Sequence, residues 1–438
     1  MTLAPNERAA IAAEIDRSFD RQLDVTSEFV AIPSTRGAEW PAQDFMADQL
    51  RRRGYVVDDW KIAMDDLRGL PDVGVISHDF SRARTVVGTL QPDRELGRSL
   101  ILQGHCDVVP AGPADMWHTP PFRPEVIDGW LHGRGAADMK AGTIAALFAI
   151  EAVRNAGYEL KGRVHLQSVI EEESTGVGAL SALQRGYRAD CAVLPEPSAQ
   201  CLSDICLGVI WFRLRVRGRP THVSHAGEGF NAIKATMEMI RALEGLERDW
   251  NERAKSDPVY GAVTHPLNFN PGIIQGGDWA SSVPAWCDLD CRIGLLPDWS
   301  VAEAQREIEA CIARAASAMP FLAENPPEIV WSGYLSHGYV MSDRPDILDV
   351  LRQAHAASTD KPLDRRIATS LNDARFYDRY FGIPAFCYGP LGERIHGFNE
   401  RVNLQSLRET TKALAFFAAD WCGIEARAGM RAPGQPSC

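Results

Sequence analysis

Residues 99–110 read SLILQGHCDVVP, a short apolar run that leads directly into a histidine and an aspartate. The run around Leu100–Leu102, bounded by polar residues, is typical of a buried strand. His105 and Asp107 follow it, and side chains two positions apart in extended chain point to the same side. The stretch therefore predicts a strand of a buried sheet that presents polar side chains together at its carboxyl end.

Two other apolar runs have the same form. Residues 163–169 lead into Glu171–Glu173, and residues 191–194 lead into Pro195–Pro197. A helix is predicted between the first two of the three runs, over residues 141–154. Alternation of apolar strands and helices predicts an α/β domain with a mostly parallel sheet flanked by helices. Ligands of such sheets bind outside the carboxyl ends of the strands, where all three polar clusters fall.

The pattern of the sequence changes near residue 208. Apolar and polar residues alternate over 211–217, which predicts a half-buried strand. The elements predicted after it are a helix over 231–250, strands over 267–275 and 285–293, a helix over 301–318 and a strand over 328–331. This order predicts a small α+β (ferredoxin-like) domain inserted into the first one. We therefore divide the chain into a discontinuous domain, residues 1–206 and 335–438, and an inserted domain, residues 207–334.

Length and charge exclude several classes of protein. At about 150 residues per domain, 438 residues suggest about three domains or two larger ones. The chain is 45% hydrophobic and carries 46 Lys+Arg against 58 Asp+Glu, a formal charge of −12. Duplex nucleic acid is bound by clustered basic residues, and no run here is basic enough. We expect a folded enzyme-sized protein that does not bind nucleic acid.

The cysteines and the apolar runs predict a cytoplasmic location. None of the ten cysteines forms a CxxC pair, and most lie in apolar contexts, as expected for free thiols in a reducing compartment. The first forty residues carry charge throughout, which is unlike a signal peptide. No stretch of eighteen consecutive apolar residues occurs, so we expect no membrane association.

Acidic residues collect at the predicted strand ends. They are Asp107, Asp138, Glu172, Glu173 and Glu196, with His105 beside the first. Carboxylates that are brought together out of water repel each other unless a cation compensates their charge. Imidazole and carboxylate together are ligands of zinc and related divalent metals. A lone His-x-Asp is weak evidence, whereas the full set indicates a metal site.

These residues lie in five motifs that resemble those of a known family. In chain order the motifs are Gly104–Pro110, Asp128–Lys140, Glu172-Glu173 with Gly178, Pro195-Glu196-Pro197, and His396 with Asn399-Glu400. The family is the co-catalytic zinc metallopeptidases that include acetylornithine deacetylase, succinyl-diaminopimelate desuccinylase, aminoacylase and carboxypeptidase G. The resemblance extends from about Phe29 to Phe417. It implies a zinc-peptidase-like domain whose inserted domain serves as a dimerisation module and lid.

The resemblance implies a role for each acid. The metal ligands would be His105, Asp138, Glu173, Glu196 and His396, with Asp138 bridging two divalent ions, zinc in first place and cobalt or manganese as alternatives. Asp107 would hold His105 in its ligating tautomer. Glu172 would be the general base for a metal-bridging water. Three glutamates are adjacent here, and counting back from Gly178 favours Glu173 as the ligand and Glu172 as the base. Glu171 is then interpreted as an acid that is either solvated or placed behind the metal ligands.

Further residues are implied outside the metal ligands. His222 resembles the family histidine that reaches a neighbouring subunit's active site and stabilises the oxyanion, which implies a homodimer. Arg292 is a candidate for binding a substrate carboxylate, with a surface ion pair as the equally weighted alternative. Asn372 and Arg375 are substrate-binding candidates of second rank. Trp117 and Trp279 are the tryptophans that we consider for the pocket wall.

We therefore predict a metal-dependent amidohydrolase that removes an acyl group from an N-acyl amino acid, in the manner of acetylornithine deacetylase or succinyl-diaminopimelate desuccinylase. The first alternative is a dipeptidase or carboxypeptidase of the same family. The alternative from another class is a non-catalytic, metal-stabilised binding protein, which would not need Glu172. The acyl group, the amine and the native metal are left open by the sequence.

Overall fold

A computed structural model describes residues 2–427 of the chain. The helices in that range are α1 Pro5–Val30, α2 Trp40–Arg52, α3 Met64–Leu67, α4 Ala141–Asn155, α5 Val177–Gln184, α6 Ala232–Ala254, α7 Val301–Ser317, α8 Pro320–Glu324, α9 Pro345–Ser358, α10 Ala374–Phe381 and α11 Leu404–Cys422. The strands are β1 Val56–Lys61, β2 Arg84–Leu90, β3 Leu100–His105, β4 Glu125–Ile127, β5 Trp130–His132, β6 Tyr158–Leu160, β7 Val164–Val169, β8 Ala192–Leu194, β9 Ile205–Cys206, β10 Gly208–Arg217, β11 Phe269–Gly276, β12 Trp286–Leu295, β13 Glu328–Ser336, β14 Tyr339–Val340, β15 Ala385–Cys387, β16 Gly392–Glu393, β17 Arg401–Asn403 and β18 Ile424–Ala426.

The main sheet has six strands in the order β1-β2-β7-β3-β8-β15. The strands from β7 to β15 are parallel to one another, and β2 pairs antiparallel with both β1 and β7. Every residue of β3, β7 and β8 is buried, because helices cover both faces of the sheet. The predicted α/β fold with a mostly parallel sheet is confirmed.

The inserted sheet has the order β11-β12-β10-β13, and every pairing in it is antiparallel. Its strands and the helices α6 and α7 follow one another in the predicted strand-helix-strand-strand-helix-strand order. One face of the sheet buries Phe212, Leu214 and Leu289 against those helices, since alternate residues of a strand point to opposite faces. The ferredoxin-like architecture is thereby confirmed.

Two hydrophobic cores form in the described part of the chain. The first draws its buried residues from Leu3–Cys206 and Tyr339–Cys422, and the second from Ile205–Leu322. These cores agree with a division into residues 1–206 with 335–438 and residues 207–334, and those boundaries remain our proposed division. The strand predicted over 328–331 extends to Ser336, because β13 stays paired with β10 beyond an irregularity.

Two further observations concern the cysteines and the helices. The nine cysteines within residues 2–427 are all free thiols, and all of them are buried except Cys201, which is half-buried. No helix of the described residues is both long and apolar enough to cross a membrane.

Candidate metal centre and active site

Three strands of the main sheet deliver four of the predicted site residues. His105 is the last residue of β3, Glu172 and Glu173 follow β7, and Glu196 follows β8. Because β7, β3 and β8 are adjacent and parallel, their carboxyl ends meet at one edge of the sheet. The three polar clusters of the sequence therefore come together in space as predicted.

Asp138 and His396 reach the same place from loops. Asp138 lies in the irregular turn Ala136–Lys140 that leads into α4. Gly135 begins this turn at φ 80°, and a Cβ there would lie 2.5 Å from a methyl group of Val108, so only glycine fits. His396 lies in the loop between β16 and β17. These two strands form a four-stranded sheet with β4 and β5, which was not predicted because its strands are only two or three residues long.

Asp138 stands between the two histidines. Its Oδ1 atom is 3.1 Å from His105 Nε2, and its Oδ2 atom is 3.6 Å from His396 Nε2. Glu196 Oε1 lies 3.9 Å from His105 Nε2. Glu173 Oε2 lies 3.0 Å from His396 Nε2. The geometry thus gives two donor groups that share Asp138, one with His105 and Glu196, the other with His396 and Glu173.

The buried carboxylates of this cluster need a cation to compensate their negative charge. Burial raises the pKa of Glu172 and of Glu196 well above the ordinary value, and neighbouring carboxylates add to the rise although His105 opposes it. Glu196 Oε1 and Asp107 Oδ1 are buried without a hydrogen-bond partner among residues 2–427. Buried acceptor oxygens of this kind are costly unless something compensates them. Two imidazoles and three carboxylates form a donor set that fits divalent metal ions of the zinc type.

Asp107 connects the two halves of the cluster. Its carbonyl oxygen is 2.9 Å from His105 Nδ1, so His105 directs Nε2 towards Asp138. Its Oδ2 atom accepts the backbone N–H of Glu173 at 3.0 Å. Burial opposes protonation of His105, yet the contacts with Asp107 and Asp138 prevail and raise its pKa. Glu39, which the sequence did not single out, is buried nearby, and burial together with Asp107 raises its pKa to about 8.

Glu171 is a buried residue, which excludes the solvated alternative for it. Its Oε2 atom accepts hydrogen bonds from the hydroxyls of Ser174 and Thr175, both at 2.8 Å. Its Oε1 atom faces His78 Nε2 at 3.2 Å and Arg36 Nε at 3.4 Å. These contacts fix the turn that presents the next two glutamates to the cluster.

Glu400 fixes the turn that presents Asp138. Its Oε1 atom accepts the backbone N–H groups of Ala137 and Asp138 at 2.9 and 3.0 Å, and its Oε2 atom accepts that of Gly135 at 3.0 Å. Arg134 Nη1 donates to the same carboxylate at 2.5 Å, and both side chains are buried. The sequence showed Glu400 only as part of a motif, and nothing in its pattern revealed this set of backbone contacts.

We expect Glu400→Gln to weaken metal binding. An amide cannot accept four donors as a carboxylate does, so the turn that carries Asp138 loses its support. Loss of such an outer partner typically costs about 10- to 100-fold in metal affinity. Isothermal titration of the metal-free chain with Zn²⁺ measures the effect. Glu393→Gln, which removes a half-exposed partner of Arg401, is the matched control, and equal affinity of both variants would refute this role.

Two cavities meet at the cluster. The smaller, of about 270 Å³, lies beside Glu196 and is walled by Ser198, Ser203 and Asn372. The larger, of about 350 Å³, lies under the inserted sheet. The residues that border both are Glu172, Glu173, Ser370, Leu371 and His396. A substrate whose scissile bond lies at Glu172 would therefore extend into both cavities.

The structure separates the three substrate-binding candidates. Arg292 lines the larger cavity and Asn372 the smaller. Arg375 is fully buried, where Nε donates to Ser336 Oγ and Nη1 to the Asn372 carbonyl, both at 2.8 Å. Its guanidinium supports the loop from inside, because α10 turns the side chain inward. This placement argues against direct contact between Arg375 and a substrate.

His222 lies away from both cavities of its own chain. It is exposed in the inserted domain, and its Nδ1 atom is 2.7 Å from Ser224 Oγ. The tryptophans also differ from our expectation. Trp117 is buried with Nε1 donating to the Ala111 carbonyl, and Trp279 is 74% exposed. Trp211 lines the larger cavity instead, and the alternating pattern of β10 gave no sign of this.

Comparison with known proteins identifies the family. The model of "Peptidase family M20/M25/M40" matches residues 101–420. N-formyl-4-amino-5-aminomethyl-2-methylpyrimidine deformylases of Halalkalibacterium halodurans and Bacillus subtilis are 29% and 31% identical, covering 94% and 89% of this chain and 97% and 91% of theirs. Succinyl-diaminopimelate desuccinylase of Stenotrophomonas maltophilia is 25% identical over 88% of this chain and 95% of its own.

The fold is shared with solved structures. Human carnosine dipeptidase 1 superposes with a TM-score of 0.75 at 18% identity, covering 95% of this chain and 99% of its own. The family match spans well over half of the chain, and it includes each of the five proposed metal ligands. The chain therefore belongs to the peptidase family M20/M25/M40 and is a hydrolase of amide bonds.

Proposed function

We propose that the chain removes a small acyl group from the nitrogen of an amino acid, using two divalent metal ions. The convergence of His105, Asp138 and Glu173 with the buried acid Glu172 at the junction of two cavities carries this proposal. When bound, the ions would supply Lewis acidity, which lowers the pKa of water and polarises an amide carbonyl. The donor set fits zinc, with cobalt or manganese as alternatives.

The chain's own acid would move the proton. Glu172 borders both cavities, and its Oε2 atom lies 4.0 Å from His105 Nε2, so it is close to the cluster without lying between the histidines. In this position its carboxylate can take a proton from water and pass it to the departing amine. A binding protein would not need such a residue, which disfavours the non-catalytic alternative.

The larger cavity favours a carboxylate over an ammonium group. Arg292 lines it, burial lowers the pKa of this arginine, and it forms no ion pair within residues 2–427. Asp290 also lines it but is held by Arg213 through two contacts of 2.6 and 2.7 Å. A free α-amino group would find no unpaired acid among the described lining residues outside the metal cluster. This supports an N-acyl amino acid over a dipeptide.

Deformylation of an N-formyl aminomethylpyrimidine is the second candidate. It is favoured by the two deformylase relatives, whose 29% and 31% identity exceeds the 25% of the desuccinylase. A screen of formyl, acetyl and succinyl amino acids, dipeptides and N-formyl aminomethylpyrimidines distinguishes these functions. We expect N-acyl amino acids to be hydrolysed and dipeptides to be poor substrates. Turnover of the pyrimidine amide alone would replace our first proposal by the second.

We also propose a homodimer in which His222 serves the neighbouring subunit. β11 is an edge strand whose residues after Phe269 are exposed, and Ile273 and Ile274 are 54% and 51% exposed. Unpaired apolar edges are commonly covered by another chain. His222 lines neither cavity of its own chain, which agrees with a role across the interface.

Free buried thiols support a cytoplasmic location.

Mixing two inactive variants tests the dimer. His222→Ala and Glu172→Gln each remove a group from every site of a homodimer. In a heterodimer one site regains both groups, so random exchange should restore roughly a quarter of wild-type activity. His225→Ala, an exposed neighbour, is the control and should stay active alone. Verified heterodimers without activity would contradict the transfer of His222 between subunits.

A further inference from the structure

One face of the inserted sheet carries ion pairs between β10 and β12, and at one position of this face an arginine lies opposite a tryptophan. Arg213 pairs with Asp290 across β10 and β12, and Arg217 pairs with Asp288 at 3.2 Å. Arg292 lies on the same face, yet its register partner on β10 is Trp211 instead of an acid. This position of Arg292 and Trp211 is where the sheet covers the larger cavity. Arg292 is half-buried there and forms no ion pair within the described residues, so its guanidinium is available to an anionic ligand.

The aromatic side chains beside Arg292 are held in a built arrangement. β13 is irregular opposite Ile210 and Trp211, so that Gly333 and Tyr334 have no register partners on β10. A Cβ on Gly333 would lie 2.3 Å from the Trp211 ring, so glycine lets this ring pack on the backbone. Trp211 and Tyr334 meet at 85° with ring centroids 5.4 Å apart. Irregular strands next to active sites commonly redirect side chains in this way.

Trp211 also has an unused donor. Its Nε1 atom is buried and has no hydrogen-bond partner within the described residues. A buried indole N–H usually finds an acceptor. Val109 and Val209 complete an apolar wall of the same cavity. The cavity therefore offers an apolar wall that includes two aromatic rings at a near-right angle, together with a guanidinium, next to the cluster.

We propose that this cavity binds the aromatic side chain and the carboxylate of an N-acyl aromatic amino acid together. The inference rests on the proposed function and names the substrate class. Arg292 pairs with the carboxylate, and the aromatic ring of the substrate lies against Trp211 and Tyr334. The amide then lies at the border with Glu172. A volume of about 350 Å³ is within the range of small-molecule sites, about 300–1,000 Å³.

The test compares N-acetyl and N-formyl derivatives of phenylalanine, alanine and phenethylamine. We expect kcat/KM for the phenylalanine derivatives to exceed that for the alanine derivatives by at least about tenfold, because apolar pockets discriminate between side chains of different size. Trp211→Leu should lower that ratio about tenfold while alanine turnover persists. Arg292→Gln should raise KM for the phenylalanine derivatives by about 10- to 100-fold and leave phenethylamine, which lacks a carboxylate, unchanged.

Controls separate this inference from the proposed function. Trp286→Leu changes a tryptophan of the same sheet that lies outside the cavity, and it should leave the ratio unchanged. If Trp211→Leu does not fold, Tyr334→Leu tests the other ring of the wall. Equal turnover of phenylalanine and alanine derivatives by the wild type would overturn the aromatic site and keep the proposed function. Absence of turnover for every N-acyl amino acid would overturn both.

Discussion

Glu172→Gln is expected to retain its metal ions and to lose catalysis. Glutamine preserves the shape of the side chain but cannot accept the proton of the attacking water. Removing a positioned general base typically costs about 10²- to 10⁴-fold in rate. We therefore expect kcat to fall by about 10³-fold with substrate affinity preserved. Steady-state kinetics and metal analysis of the purified variant give both quantities.

The neighbouring glutamate supplies the matched comparison. Glu173 Oε1 and Oε2 lie 3.1 and 3.0 Å from His396 Nε2, whereas Glu172 lies 4.0 Å from His105 Nε2 at its nearest contact with a histidine. Glu173→Gln should therefore lose a metal ion as well as activity. The opposite result, with metal lost in Glu172→Gln and retained in Glu173→Gln, would reverse the register of the two residues. Activity of Glu172→Gln within tenfold of wild type would remove it as the base.

Asp138→Asn is expected to abolish metal binding at both positions. Asp138 is the carboxylate that approaches both histidines, at 3.1 Å from His105 and 3.6 Å from His396. An amide supplies one neutral oxygen in place of a bridging anion, so neither group of donors is complete. Metal analysis should find the ions of the wild type missing, and activity should be lost with them.

Thermal unfolding provides an independent measurement of the same change. A ligand that binds only the folded state stabilises it by RT ln(1 + [L]/Kd), so added Zn²⁺ should raise the Tm of the wild type. The Tm of Asp138→Asn should not respond to Zn²⁺. Asp115→Asn, an exposed acid of the same domain, is the control and should respond as the wild type does. A full zinc response of Asp138→Asn would contradict the bridging role.

The sequence allowed prediction of the features that depend on strand ends. A buried apolar run followed by polar residues predicts both a parallel strand and the edge where ligands gather, which placed His105, Glu172 and Glu196 together. The order of elements after residue 208 similarly predicted the inserted sheet. Both predictions rest on short-range patterns with a period that the sequence displays directly.

Other features depend on contacts between distant segments and left no such pattern. Glu400 lies more than 250 residues from the backbone N–H groups that donate hydrogen bonds to it, so the sequence pattern did not reveal its role. Arg375 was a substrate-binding candidate of second rank through the family resemblance, but α10 directs its side chain inward. Trp211 reads as an ordinary half-buried strand residue until the irregularity at Gly333 is seen.

Titration of the metal-stripped wild-type chain with Zn²⁺ tests the central claim most directly. Activity towards an N-acyl amino acid and bound metal are measured in the same samples. We predict that the stripped chain is inactive and that full activity returns when two ions are bound per chain. A metal-free chain with full activity, or activity that does not follow bound metal, would contradict the account.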